Sequence, residues 1–194
     1  MLMFLQYSYG TIPFIVGAIP FASIIAYFKK VDLRRVGSGN VGATNVYRAL
    51  GWKFGILVFL LDGAKGYFPV YVGIYYSDNP WVHIAIGALT VLGHSFSPFL
   101  KFRGGKGAAT TAGVLCALAP DVCGILFALG LVLTIAFRYV ALTSIVCSLL
   151  APLLLYLFDY SEAYVGMMAL LSVLILVKHR SNILRLIQKK ENKL

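Results

Sequence analysis

Three stretches of the chain gather the residue types that hold phosphate or move a proton. The first is Gly37-Ser38-Gly39-Asn40-Val41-Gly42-Ala43-Thr44-Asn45-Val46-Tyr47-Arg48. The second runs from Gly93-His94-Ser95 through Arg103-Gly104-Gly105-Lys106-Gly107 to Thr110. The third is Lys178-His179-Arg180-Ser181-Asn182. Glycines let successive backbone N–H groups turn inward on an anion, and helix N-termini offer unpaired N–H groups of the same kind. The hydroxyls and amides add neutral donors, and Arg48, Arg103 and Lys106 add charge. The chemistry these residues suit is the capture and positioning of phosphorylated groups.

Other chemistries fit poorly. Gly37–Gly42 matches G-x-G-x-x-G, with Asp62 20 residues past Gly42. A dinucleotide site needs that motif to follow a strand within a βαβ unit. Here an apolar helix and a basic loop precede it, and Asp62 falls inside the next apolar stretch. Gly105-Lys106 is followed by Gly107 where a P-loop needs Ser or Thr, and Leu100 stands where its first Gly belongs. No G-x-S-x-G is present, and neither His94 nor His179 begins a His-x-x-x-x-Asp pair. Cys116, Cys123 and Cys147 lie in apolar stretches without metal-like spacing, and their odd number argues against a disulfide framework. Neither a resident metal nor a cofactor is expected. Most of the seven acids fall in connectors on the opposite side or in the tail, so paired-carboxylate acid–base chemistry is not expected either.

The elements that must carry these residues are apolar helices. Of 194 residues 60% are hydrophobic and 12% charged, and the mean hydropathy is +0.84. A soluble domain of this size cannot bury so much apolar surface. Division at charged residues leaves seven apolar segments: 1–28, 54–77, 79–100, 107–120, 122–137, 139–158 and 160–177. The first lacks a basic leader and is long enough to span, so it is read as a membrane helix rather than a cleaved signal. The fourth and fifth are short for spans, which need about 20 residues. Joined, they would be about 46 Å long at about 1.5 Å per residue, with Pro120 in the middle.

Charge decides for seven. With seven spans and the N-terminus outside, one side receives 16 of the 17 Lys and Arg, in 29–53, 101–106, Arg138 and the tail from Lys178. The other side receives Asp78, Asp121 and Asp159–Glu162, with no Lys or Arg. The positive-inside rule then predicts an all-α integral membrane protein of seven transmembrane helices, N-terminus outside and C-terminus cytoplasmic. It is read as a single domain over 1–194. All three polar stretches fall on the cytoplasmic side. The +10 net charge is explained by topology, and no nucleic-acid partner is expected.

A few residues topology leaves unexplained. Asp62 and Lys65 are three apart on one helix and can pair there; an intramembrane pair either carries function or locks the helix against its neighbours. His83 is read as structural, and His94 as reaching the site or bonding nearby backbone. Gly87, Gly93, Gly113 and Gly166 are read as close helix contacts.

In content and order the three stretches resemble the cytoplasmic motifs of the bacterial acyl-phosphate:glycerol-3-phosphate acyltransferases, the PlsY family. The resemblance covers the whole chain in length, helix count and motif order. It implies an inner-membrane enzyme of phospholipid synthesis. Such an enzyme moves a fatty acyl group from acyl phosphate to the 1-position of sn-glycerol 3-phosphate. Lysophosphatidic acid and inorganic phosphate are the products. A mixed anhydride carries a good leaving group, so positioning and electrostatic stabilisation can supply most of the catalysis.

The resemblance also implies roles. Ser38, Arg48, Lys106, His179 and Asn182 are the expected catalytic set. Ser38, Asn40, Thr44, Asn45 and the backbone of Gly104–Gly107 would hold phosphate. Gly39, Gly42, His94, Ser95, Arg103, Gly104, Gly105, Gly107 and Thr110 complete the expected binding set. Arg48 and Lys106 would neutralise phosphate and stabilise the tetrahedral oxyanion. His179 and Asn182 would orient glycerol 3-phosphate. His179 is the candidate base for the 1-hydroxyl, a phosphate oxygen of the substrate being the alternative. Expected partners are the two substrates and membrane lipid, with the protein a monomer. The competing reading is a transporter for a phosphorylated anion. Transporters set their polar site near the bilayer midplane, often between repeats, whereas here the polar residues gather on one face.

Overall fold

The computed structural model describes residues 2–194, with side chains from Gly10 onward. Met1, the first residue of the expected first span, lies outside the described residues. The described residues form helices and turns, with no strand among them. The helices are α1 (Leu2–Ala18), α2 (Phe21–Phe28), α3 (Ala43–Leu50), α4 (Trp52–Tyr76), α5 (Pro80–Ser95), α6 (Ala108–Leu118), α7 (Pro120–Phe137), α8 (Val140–Leu157), α9 (Glu162–Lys178) and α10 (Arg180–Ile187). A 3₁₀ turn at Pro98–Leu100 follows α5.

By length and apolarity, Gly10–Phe28, Trp52–Tyr76, Pro80–Leu100, Pro120–Phe137 and Val140–Leu157 suffice to cross a membrane. α9 and α10, bent by 62° at a short break, make a sixth if taken as one span. α6 is apolar but has 11 residues. Each of the seven apolar segments of the sequence is therefore helical, while five or six meet a spanning criterion. The expected first segment is broken at Ile19–Pro20, because Pro20 lacks an N–H for the ladder. Pro120 likewise opens α7, with Ala119 between it and α6. The basic segment after α2 contains α3, whose Arg48 lies in the last turn.

The outer surface departs from that of a soluble protein, being apolar over large side chains, and the interior holds a charged pair beside its apolar core. Phe127, Ile135 and Leu170 are 63%, 70% and 74% exposed, while Asp62 and Lys65 are 2% and 5% exposed. Apolar surface outside, with ionised groups paired inside, is the arrangement a hydrocarbon solvent requires.

The chain divides into two compact units, Met1–Val114 and Leu115–Leu194. In the first, α1 packs on α5, and α4 packs on α3 and α5. Small residues allow these backbones to meet. A Cβ on Gly93 would fall on the Phe14 carbonyl, and one on Gly17 on the Thr90 carbonyl. Gly66 and Gly113 stand in the same relation to Thr110 and Gly63. Gly166, expected at a helix contact, has open space where a side chain would stand, so no close approach explains it. A satellite core of Ala22, Ala26, Leu33, Val41, Val46 and Val58 seats α3 and the loop before it. In the second unit α8 packs on α7 and α9, and α10 contacts α8 and α9.

Candidate active site

In the first unit, the Gly37–Thr44 loop is built around Asn45. This side chain is 1% exposed. Its Oδ1 accepts from Ser38 N at 2.9 Å, and its Nδ2 donates to Leu33 O at 2.9 Å. Gly37 takes φ +59°, and a Cβ there would strike Asn45 Oδ1. Only glycine meets both conditions without strain. Arg48 comes up from α3 on the same side, its Cδ 3.7 Å from where a Gly37 side chain would begin. Ser38, Gly39, Asn40, Gly42 and Thr44 are half-buried along the loop. Asn45 thus shapes the loop, with both ends of its amide engaged inside the protein.

The second stretch turns back sharply after α5. Ser97 Oγ donates to Ala18 O at 2.6 Å, Phe102 N to Ser97 O at 2.8 Å, and Gly105 N to His94 O at 3.2 Å. Lys101 and Phe102 both adopt left-handed backbone conformations, at φ +54° and +60°. Arg34 ties the basic loop to this turn, donating from Nη2 to Arg103 O at 3.0 Å. A Cβ on Gly104 would fall on the His94 carbonyl, and one on Gly105 on His94 Nε2. Gly107, at φ +86°, leads directly into α6. Beside it lie Ser95 Oγ and Thr111 Oγ1. The Thr110 and Thr111 hydroxyls are buried and unpaired within the chain. Arg103 is exposed and Lys106 half-buried on the same turn. The result is a glycine turn at a helix N-terminus, with cations and buried hydroxyls around it. Each feature favours an anion.

In the second unit, His179 sits at the bend between α9 and α10 and is 4% exposed. Its Nδ1 lies 2.9 Å from Ile175 O. A carbonyl only accepts, so Nδ1 carries the proton. In the neutral ring the lone pair is then on Nε2, the form a general base requires. A helix carbonyl therefore fixes the tautomer, although no nearby carboxylate was visible in the sequence. Asn182, one turn into α10, is 3% exposed and donates from Nδ2 to Glu191 Oε1 at 2.8 Å. Arg185 Nε meets Glu191 Oε2 at 2.7 Å. In the sequence Glu191 is one residue of the basic tail, with no partner marked by spacing. The available signal was that it is the one acid among the six cations from Lys178 onward.

Among the described residues no cluster of His, Cys, Asp or Glu is arranged to hold a metal.

The helices have apolar outer faces; the first unit carries the glycine-rich turns, and the second the tautomer-fixed histidine and the clamped asparagine. Comparison with known proteins gives the class, an integral membrane acyltransferase. The sequence profile of glycerol-3-phosphate acyltransferases matches residues 7–189. A protein of Leptospira borgpetersenii named glycerol-3-phosphate acyltransferase is 46% identical over 196 residues, covering 94% of this chain and 88% of its own. One of Aquifex aeolicus with the same name is 42% identical, with 93% and 94% covered. The glycerol 3-phosphate form of PlsY, an integral membrane glycerol 3-phosphate acyltransferase, superposes with a TM-score of 0.91 at 42% identity, covering 94% of this chain and 92% of that one. Its lysophosphatidic acid form gives 0.88 at 41%. The chain belongs to the PlsY family of glycerol-3-phosphate acyltransferases.

Proposed function

We propose that this enzyme transfers a fatty acyl group from acyl phosphate to the 1-hydroxyl of sn-glycerol 3-phosphate, releasing lysophosphatidic acid and inorganic phosphate. The observation that carries the reading is the Gly104–Gly107 turn at the head of α6, with Arg103, Lys106 and the buried Thr110 and Thr111 hydroxyls around it. Both substrates bear phosphate, and the glycine loops of the first unit offer donors and cations for it. A relative of high structural similarity has been crystallised in forms named for glycerol 3-phosphate and lysophosphatidic acid, which supports that substrate and that product.

In the proposed reaction the 1-hydroxyl oxygen attacks the acyl carbonyl. A C–O ester bond forms, the bond from the acyl carbon to the phosphate oxygen breaks, and phosphate leaves with the electron pair. Ser38, Asn40, Thr44 and the backbone of Gly39, Gly42 and Gly104–Gly107 bind phosphate, with Asn45 holding the first loop in shape. Arg48 and Lys106 neutralise the phosphates and stabilise the oxyanion. His179 receives the hydroxyl proton on Nε2, and Asn182 orients the acceptor. No covalent acyl-enzyme is formed. The enzyme acts as one acyltransferase domain and a monomer, without metal or cofactor, in the cytoplasmic membrane. It has seven spans, with the N-terminus outside and the motifs facing the cytoplasm.

The test supplies purified protein in a lipid phase with labelled glycerol 3-phosphate and either palmitoyl phosphate or palmitoyl-CoA. Labelled lysophosphatidic acid and free phosphate from the first donor alone is the expected result. Product from both donors removes the donor assignment. Product from neither, in folded protein, removes the reading. His179→Ala keeping most of kcat would move the proton to a substrate phosphate oxygen.

A further inference from the structure

Asp62 and Lys65 meet on α4 with Nζ and Oδ1 2.8 Å apart, both side chains 3% exposed. A pair that only neutralises itself needs no further partners, yet this one has several. Lys65 also donates to Ile19 O at 2.8 Å, at the break between α1 and α2. Asp62 Oδ1 lies 3.8 Å from His94 Nδ1. That is beyond direct hydrogen bonding, so the carboxylate acts on the ring through its charge rather than through a bond. The opposite edge of the same ring faces Gly105, where a Cβ would fall on Nε2. His94 O accepts from Gly105 N at 3.2 Å. The ring thus stands between a buried carboxylate and the glycine turn. A cavity lined by Asp62, Lys65, His94 and Gly105 also reaches Val41 of the first loop.

We propose that Asp62 is a positioning residue for acyl transfer: its carboxylate, neutralised by Lys65, orients the His94 ring against Gly105 and so sets the Gly104–Gly107 turn. The inference rests on the function proposed above. A buried ion pair carries a desolvation cost and is weak evidence for stability alone. Its attachment to the ring beneath an anion-binding turn gives it a second use. Asp62 touches no substrate and acts through His94.

The test measures kcat, both substrate KM values and thermal unfolding of the full chain in a lipid phase. Gly105→Ala identifies the substrate that depends on the turn. Asp62→Asn is expected to raise the KM of that same substrate about tenfold, leave the other KM unchanged and keep kcat within about threefold. The double variant is expected to be no worse than its worse parent, because both act on one contact. His94→Gln keeps the Asp62–Lys65 pair and is expected to show the same selective rise, which covers the case where Asp62→Asn does not fold. Unaltered KM values in folded Asp62→Asn or His94→Gln overturn the inference. So does a loss of stability with no selective KM effect. If the unsubstituted protein makes no lysophosphatidic acid, both this inference and the proposed function fall. Product with wild-type KM in the variants removes this inference alone.

Discussion

The Asn182 amide donates to the Glu191 carboxylate at 2.8 Å, and the two residues are 3% and 7% exposed. The bond joins α10 to the tail and fixes which way the amide faces. Hydrogen bonds to a charged group contribute roughly 1.5–3 kcal/mol, and a buried partner left alone costs about as much again. Glu191→Ala is therefore expected to lower the unfolding temperature and to cut activity through Asn182. Glu191→Gln keeps the shape and an acceptor for Asn182 while losing the Arg185 charge contact, and should retain more of both. Parallel melting curves and turnover rates check the order.

Asn45 and Gly37 form a second such pair. Asn45→Ala leaves Ser38 N and Leu33 O without their side-chain partner, at a cost of about 1–3 kcal/mol for each one buried. Gly37→Ala forces a Cβ into Asn45 Oδ1 at a left-handed φ. Both variants are expected to lose activity through the same loop. The double variant should fall short of the sum, since one neighbour no longer opposes the other. Steady-state rates for the three proteins decide it.

How far the sequence leads is visible at these residues. The seven helical segments were legible because charge and apolar runs report directly on burial in lipid. The glycine loops were legible because backbone approach to an anion restricts residue type. The Asp62–Lys65 pair followed from helical spacing. The break at Pro20 was written in the sequence but was outweighed by the long apolar run around it. Asn45 as an internal clamp, Ile175 O fixing the His179 tautomer and Glu191 under Asn182 were not legible. Each depends on a partner set by backbone path rather than by periodicity. Gly66 and Gly17 were likewise indistinguishable from Gly166 by residue type; only packing separates them.

That separation predicts a contrast. Gly66→Ala places a Cβ on the Thr110 carbonyl, and Gly113→Ala places one on the Gly63 carbonyl, so backbone rather than a flexible side chain must give way. Overpacking of this kind costs about 1–3 kcal/mol. Gly166→Ala meets nothing within 4 Å and gains helix propensity, worth about 0.8–1 kcal/mol in the middle of a helix. Thermal unfolding in one lipid mixture should rank Gly166→Ala at or above the unsubstituted protein and the other two below it. A melting temperature for Gly66→Ala equal to the parent's would show that α4 and α6 do not meet as closely as described.

The break after α1 carries a prediction of its own. A helix that ends inside a membrane leaves carbonyls without intrahelical donors, and lipid offers none in their place. Two side chains from elsewhere in the fold supply them here: Ser97 donates to Ala18 O at 2.6 Å and Lys65 to Ile19 O at 2.8 Å. Ser97 is 1% exposed, so water cannot readily replace it. Ser97→Ala is expected to destabilise the protein by about 1–3 kcal/mol, the cost of a buried acceptor left unpaired. Ser97→Thr keeps the hydroxyl and should recover part of that loss, limited by room for the added methyl. Because Phe102 N bonds the Ser97 carbonyl, the turn toward Gly104 keeps its own backbone contact in both variants. Stability should therefore fall further than turnover measured well below the melting temperature. Equal unfolding temperatures for Ser97→Ala and the parent would mean that the Ala18 carbonyl finds another donor.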